Sequence, residues 1–157
     1  MNESTDIRRA GPDDAKLILT MIRELAGYQD EGEYITVTVD QWRELLGRDD
    51  VIVLVAERAG EAMGYVSALR RPQLWSGEDI LALDDLYVRE QYRDGGIGRA
   101  LMFELARHAL PEGLTISWGM RPENVDGQRF YARLGATFRP KVVAAWPVAS
   151  YSSAISR

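Results

Sequence analysis

The chain has 157 residues, no cysteine, one histidine (His108) and a formal net charge of −5. That length suits a single domain over 1–157, large enough to bury a core without staples. With 46% hydrophobic and 27% charged residues it reads as globular rather than disordered. The missing cysteines exclude a disulfide framework, a thiolate zinc site and a catalytic thiol of the chain's own, and a lone histidine leaves little for a metal cluster, so no metal is expected.

The opening MNESTDIRRAGPDDA is polar and lacks the apolar centre of a signal peptide. No stretch reaches the ~18 apolar residues of a membrane helix. A soluble cytoplasmic protein with no membrane partner is expected. Ile7 to Ala10 is a short extended piece. Gly11-Pro12-Asp13-Asp14 breaks it and caps a helix in which Ala15, Ile18, Leu19, Ile22, Leu25 and Ala26 follow helical spacing, up to Gly27. Residues 28–39 read as an acidic loop, and Gln41 to Leu46 as a short helix stopped by Gly47.

Val51 to Glu57 is a β-branched run fit for a buried strand. Ala59-Gly60-Glu61 turns the chain, and Ala62 to Leu69 returns as the second arm of a hairpin. After the Pro72–Gly77 loop, Ile80 to Val88 reads as a third long strand. Gly95-Gly96-Ile97-Gly98 opens a helix from Ile97 to Leu110, with Ile97, Leu101 and Leu105 on one stripe and His108 in the last turn, where a cation complements the helix dipole. Leu114 to Trp118 is a strand, Asn124 to Leu134 a helix closed by Gly135, and Val142 to Val148 a last strand. The order β-α-α-β-β-β-α-β-α-β is an α+β (α/β) pattern, with a mixed sheet that is antiparallel at first and ends in two βα units. Trp42, Trp75, Trp118 and Trp146 are expected in the core or on the wall of a cleft.

Charge is unevenly placed. Residues 28–50 hold seven acids (Asp30, Glu31, Glu33, Asp40, Glu44, Asp49, Asp50) against Arg43 and Arg48, whereas 86–157 hold ten bases against six acids. Either these are solvated faces, or the surface is bipolar, one end suited to an anion and the other to a cation. The net acidity and the absence of a basic motif argue against nucleic acid.

The most informative segment runs from Tyr87 to Leu101, where a strand feeds a glycine-rich turn that opens a helix. The backbone amides at a helix start have no internal partner, and the dipole adds positive charge, so such a turn attracts anions. Arg93 and Arg99 flank it and suit phosphate oxygens. The same residues also fit an ordinary βα connection that uses glycine for its dihedrals. No Gly-Lys-Ser/Thr follows, and Leu101 stands where a dinucleotide fingerprint has its third glycine.

Arg93-Asp94-Gly95-Gly96-Ile97-Gly98 resembles the Arg/Gln-x-x-Gly-x-Gly/Ala signature of the GNAT superfamily of acetyl-CoA-dependent N-acetyltransferases. Asn124-Val125-Asp126-Gly127-Gln128-Arg129-Phe130-Tyr131-Ala132-Arg133-Leu134-Gly135-Ala136 resembles the family's Asn-x(6)-Tyr-x-x-Leu-Gly-Phe/Ala segment, in the right order and with a helix and a strand between the two. Ile7-Arg8-Arg9-Ala10, Ile22 to Tyr28, Trp75 and Leu83 to Val88 are similar to the spermidine/spermine (diamine) N-acetyltransferase branch. The resemblance covers about residues 7–138 and leaves the last twenty unmatched. It implies a sheet of about six to seven strands flanked by about four helices, acetyl-CoA as cofactor and a homodimer. It also implies that Leu86, Tyr87 and Val88 pair with the pantetheine arm. Arg93, Asp94, Gly95, Gly96, Ile97, Gly98 and Arg99 would lie at the pyrophosphate, and Asn124, Gly127 and Tyr131 at the coenzyme.

Acetyl transfer to an amine requires removal of a proton from the amine, stabilisation of an oxyanion and protonation of a leaving thiolate. Tyr131 matches the family's acid, and a phenol with a pKa near ~10 keeps its proton at neutral pH. The oxyanion donor is expected to be a backbone N–H near Val88. Asp84 matches a family glutamate that acts as base through water, one methylene shorter here. If the strand is regular, Asp85 points to the opposite face. The pair also reads as two solvated acids. Asn124 serves either the coenzyme or its own helix as a cap.

The resemblance places Tyr28, Gln29, Trp75, Asp84 and Asp85 at the acceptor. Gln29 and Gln73 stand where the diamine branch has acids, so a small primary amine other than a polyamine is expected. Direct transfer in a ternary complex is expected, since there is no cysteine to carry a thioester. A protein or peptide N-acetyltransferase and a non-catalytic acyl-CoA-binding domain are the alternatives.

Overall fold

The computed structural model describes residues 4–157. These divide into two compact units, one running to Gly119 and the other Met120–Arg157. In the first unit lie β1 (Asp6–Arg9), α1 (Ala15–Tyr28), α2 (Val39–Leu46), β2 (Val51–Arg58), β3 (Glu61–Pro72), β4 (Asp79–Val88), α3 (Ile97–Ala109) and β5 (Ile116–Ser117). The second holds α4 (Val125–Arg133) and α5 (Val148–Ile155). The described residues thus form five strands and five α-helices, against the six to seven strands and four helices expected. No helix among them is long and apolar enough to cross a membrane.

The sheet order is β1-β2-β3-β4-β5, antiparallel from β1 to β4 and parallel between β4 and β5. The β2–β3 hairpin closes through Ala59 and Gly60, both at positive φ (52° and 76°), the twist that a two-residue hairpin turn requires. The first turn of α1 is prepared by Asp14, whose carboxylate accepts from Gly11 N–H at 2.8 Å and takes Arg8 bidentately at 2.9 and 2.7 Å. Thr38 and Gln41 cap α2 reciprocally: Gln41 N–H donates to Thr38 Oγ1 at 3.1 Å and Thr38 N–H to Gln41 Oε1 at 2.9 Å. That box moves the helix start ahead of Gln41, to Val39.

Alternation along the strands splits the core into two layers. On one side Val53 and Val55 of β2, Tyr65 of β3 and Tyr87 of β4 join Ile18, Met21 and Ile22 of α1 and Leu46 of α2 in one buried cluster. Ile52, Leu54, Val66, Ala68 and Leu81 are also buried and face the other way, where α3 packs on β2, β3 and β4 through Ile97, Leu101 and Leu105. β5 pairs with β4 only at Leu81↔Ile116 and Ala82↔Ser117.

In the second unit Asn124 caps α4, and Gly135 (φ 95°) ends it, its N–H donating to Ala132 C=O while Ala136 N–H donates to Tyr131 C=O. Residues 142–147 form no strand, contrary to expectation, and Val148 opens α5 instead. Pro147 at the N-terminal boundary explains the switch: its ring presets φ and its missing N–H is no loss at a helix start. The Trp146 ring meets Tyr151 edge-on at 5.9 Å.

Candidate active site

β3 and β4 are in register from Gly64↔Val88 to Ser67↔Asp85, and then Ala68 faces Leu83. Asp84 is therefore an extra residue, a β-bulge. Leu83 shares the α3 side with Ala68, so Asp84 lies on the α1 side, and Asp85, opposite Ser67, lies there too. The expectation that the two aspartates point to opposite faces is corrected: the bulge absorbs one step of the alternation and turns both carboxylates to one side. Asp85 N–H donates to Ser67 Oγ at 3.2 Å, and Tyr65 Oη donates to Asp85 Oδ2 at 3.1 Å.

Neither carboxylate has a cationic partner among the described residues. Burial pushes the Asp85 carboxyl up, the Tyr65 bond pulls it part of the way back, and the Asp84 charge adds to the rise. Asp84 is more exposed, yet partial burial still raises it above the usual carboxylate value. Burial, then the Asp85 charge, holds the Tyr65 phenol far above its ordinary range, so it remains a donor.

Beside this pair runs a row of aromatic rings. Tyr65 and Tyr87 have centroids 6.1 Å apart, and Tyr87 and Tyr28 6.3 Å. Burial pushes the Tyr87 phenol up to about 12. Tyr28, at the end of α1, is exposed; its hydroxyl donates to Glu90 at 3.0 Å and its ring carries the Arg93 guanidinium at 4.8 Å. Arg89 pins the end of β4 to α1 through Glu24 (2.9 Å) and donates to Ala62 C=O at 3.1 Å. Gln29 follows the helix and is exposed. Trp75 is 102% exposed, at the tip of the β3–β4 connection beside Leu74 at 90%, so it lines no core. Trp42 packs partly buried against the core, whereas Trp146 is exposed rather than buried.

The glycine turn leads into α3, with Gly96 at its N-terminal boundary. The first helical bond of α3 runs from Ala100 N–H to Gly96 C=O at 3.0 Å, so the amides ahead of Ala100 have no partner within the helix. Gly96 adopts φ 81° with nothing within 4 Å of where a Cβ would stand, and the turn from Arg93 to Gly96 is exposed. Asp94 is also left-handed, at φ 63°. Arg99 lies over the Phe103 ring at 4.7 Å, one turn along the helix. Arg58, Met63, Gln91, Tyr92, Arg93, Gly95 and Ile97 line a hollow of about 160 Å³ beside the turn.

β4 leads into this turn with an open edge. Leu81 N–H reaches Thr115 C=O on the β5 side at 3.0 Å, while Arg89 N–H returns to Met63 C=O on the β3 side at 2.8 Å. Alternation between these two, with the bulge counted, directs the peptide groups of Leu86 and Val88 to the β5 side and those of Tyr87 to β3. On the β5 side β4 has no strand partner beyond Ala82 among the described residues. The Val88 carbonyl accepts from Arg93 Nε at 3.1 Å, which ties the turn to the strand. The residues therefore fit a ligand with a pyrophosphate and an extended, amide-bearing arm: donors at the turn, a strand edge before it.

In the second unit, Asn124 Oδ1 accepts from Gly127 N–H at 3.0 Å, the cap geometry among the two readings of this residue. A Cβ on Gly127 would stand 2.5 Å from the Asn124 amide nitrogen, so glycine there lets the cap close. Tyr131 is partly buried, stands edge-on to Phe130 at 5.1 Å, and burial pushes its phenol up.

Tyr65, Ser67, Glu24 and Glu90 escaped the sequence reading. The available signal was polar residues at alternate positions, Tyr65 and Ser67, on an otherwise apolar strand.

Residues 19–136 match the Acetyltransferase (GNAT) family. A thialysine N-epsilon-acetyltransferase of Mus musculus is 30% identical over 149 residues, covering 85% of this chain and 84% of that one. The protein of the same description from Caenorhabditis elegans is 27% identical over 121 residues, 76% of this chain and 75% of its own. Among solved structures, an aminoglycoside acetyltransferase from an uncultured soil metagenomic sample superposes with a TM-score of 0.80 at 22% identity, over 92% of this chain and 99% of that one. An aminoglycoside N-acetyltransferase in complex with CoA gives 0.77 at 18%, over 94% and 97%. The chain belongs to the acetyltransferase (GNAT) family and is an N-acetyltransferase that uses acetyl-CoA.

Proposed function

We propose that the enzyme acetylates a primary amine of a small molecule by direct transfer, with both substrates bound at once. The observation that carries this is the bulge at Asp84, which turns two carboxylates without cationic partners to one side of the strand whose open edge suits the coenzyme. The two curated relatives described above are named for thialysine, and the two structural neighbours described above for aminoglycosides. Both names describe amines on small molecules. An aminoalkyl group of the thialysine kind is the favoured acceptor. Gln29 and Gln73, where the diamine branch has acids, demote polyamines.

Bound acetyl-CoA supplies the activated acetyl thioester. The chain's residues do the rest. Asp84 and Asp85 attract the ammonium, and Asp84, through a water, takes the proton that the amine loses. The Val88 N–H donates to the acetyl carbonyl oxygen. Tyr131 Oη holds the proton that the departing sulfur receives. The amides of Gly95 to Arg99 hold the pyrophosphate, with Arg93, Asp94 and Arg99 around them; Leu86 and Val88 pair with the pantetheine arm. Tyr28 and Trp75 flank the acceptor.

Acetylation of a panel of thialysine, spermidine, aminoglycosides and amino acids tests the acceptor. Efficient turnover of spermidine alone contradicts the demotion. In Tyr131→Phe, turnover should fall at least a hundredfold, within the usual ~10²–10⁴ of general acid catalysis, with acetyl-CoA still bound. Unchanged turnover removes Tyr131 as the acid. The proposal includes a homodimer, supported by the exposed Val142, Val143 and Trp146. A monomer in sedimentation at micromolar concentration contradicts it.

A further inference from the structure

We propose that Tyr65 is a positioning residue for the acceptor, holding Asp85 as the fixed member of the carboxylate pair. The proposal rests on the amine-acetyltransferase reading above.

Tyr65 is fully buried, at 0% exposure, in the cluster with Ile18, Met21, Val53 and Val55. Those neighbours would be served equally well by a phenylalanine ring. The hydroxyl is the part that packing does not explain, and a buried hydroxyl requires a partner. Its partner is Asp85 Oδ2 at 3.1 Å. Asp85 is held a second time, by its own N–H on Ser67 Oγ at 3.2 Å. Two donor–acceptor pairs from adjacent inward positions of β3 thus grip one residue of β4.

Asp84, one residue earlier, has no hydrogen-bond partner among the described residues and is exposed. The bulge therefore presents two unlike carboxylates. One is free to follow a ligand or a water, and the other is locked in a single orientation. A locked carboxylate loses little freedom when an ammonium arrives, so its contribution falls on acceptor binding. The Tyr87 ring packs beside that of Tyr65, with centroids 6.1 Å apart.

The test compares wild type, Tyr65→Phe, Asp85→Asn and the double variant, with thialysine as acceptor, thiol release as readout and acetyl-CoA affinity by calorimetry. In Tyr65→Phe, KM for thialysine should rise about tenfold, equivalent to about 1.4 kcal/mol, while kcat and acetyl-CoA affinity stay near wild type and Tm moves by no more than about 4 °C. The double variant should be no worse than Asp85→Asn, because Tyr65 acts through Asp85. An unchanged KM in Tyr65→Phe, or effects that multiply in the double variant, overturns the proposal. If Tyr65→Phe does not fold, Ser67→Ala replaces it, with a KM rise of about threefold expected from loss of the second grip and an unchanged KM as refutation. Wild-type enzyme that acetylates no amine overturns the reading beneath the proposal and the proposal with it, a result visible before any variant is compared.

Discussion

Gly64→Ala probes the strand edge that the coenzyme needs. A Cβ on residue 64 would stand 2.3 Å from the Tyr87 carbonyl oxygen and 3.0 Å from Val88 Cα. Carbon and carbonyl oxygen normally meet no closer than about 3.3 Å, so the strands must part by about 1 Å. Both obstructing atoms are backbone, and no rotamer change relieves them. Overpacking of this kind costs about 1–3 kcal/mol, and the rigid surroundings place this case near 3 kcal/mol. For a chain of this size that is a Tm loss of about 6–12 °C. The displaced residues are Tyr87 and Val88, so acetyl-CoA affinity should also fall, by about tenfold or more. Differential scanning calorimetry and titration with acetyl-CoA measure the two effects. Gly27→Ala is the control: it lies in α1 with nothing within 4 Å of its added Cβ, and it should gain about 0.5–1 kcal/mol from helix propensity. Gly64→Ala with wild-type Tm and wild-type affinity would show that the close approach of β3 and β4 does not shape the site.

Asp14→Asn should lose about 1–2 kcal/mol at neutral pH, because Arg8 and then Gly11 N–H hold the Asp14 carboxyl below its usual value. A depressed carboxyl stabilises the fold above the ordinary pKa of about 4. The gap to wild type, read from urea midpoints, should close as pH falls through the lowered value; a gap that persists there contradicts the assignment. Asp84 and Asp85 carry the opposite sign, since burial raises both. The acid limb of kcat/KM should therefore lie above pH ~4, and a limb at or below that pH excludes them as the ionised groups. Asp84→Asn should leave Tm unchanged or raise it by no more than about 4 °C at neutral pH while turnover falls. A clear loss of Tm would mean that the carboxylate has a structural partner.

Most of the first unit was legible because its signals are local. The β-branched run Val51–Ala56, the Ala59-Gly60 turn and the helical spacing from Ala15 to Ala26 each declare their element within a few residues. The glycine turn was legible for the same reason, as Gly96 supplies its left-handed step locally, although Asp94 takes a second such step without being a glycine. The bulge was not, because it is a property of the register between two strands: Asp84 and Asp85 alternate normally in the sequence until Ala68 pairs with Leu83. Tyr65 escaped because its partner lies twenty residues away. The stretch Val142–Val148 misled because β-branched residues favour strands only where a neighbouring strand accepts them. Among the described residues none does, and Pro147 starts α5 instead.

The central claim is most directly tested by mixing the enzyme with acetyl-CoA and thialysine and following free thiol together with the mass of the amine. The chain has no cysteine, so every thiol that appears belongs to the coenzyme. The account predicts one thiol released for each amine that gains an acetyl group, with no release when the amine is left out. Acetyl-CoA that binds without thiol release for any amine of the panel, or thiol release without an acetylated amine, would contradict it.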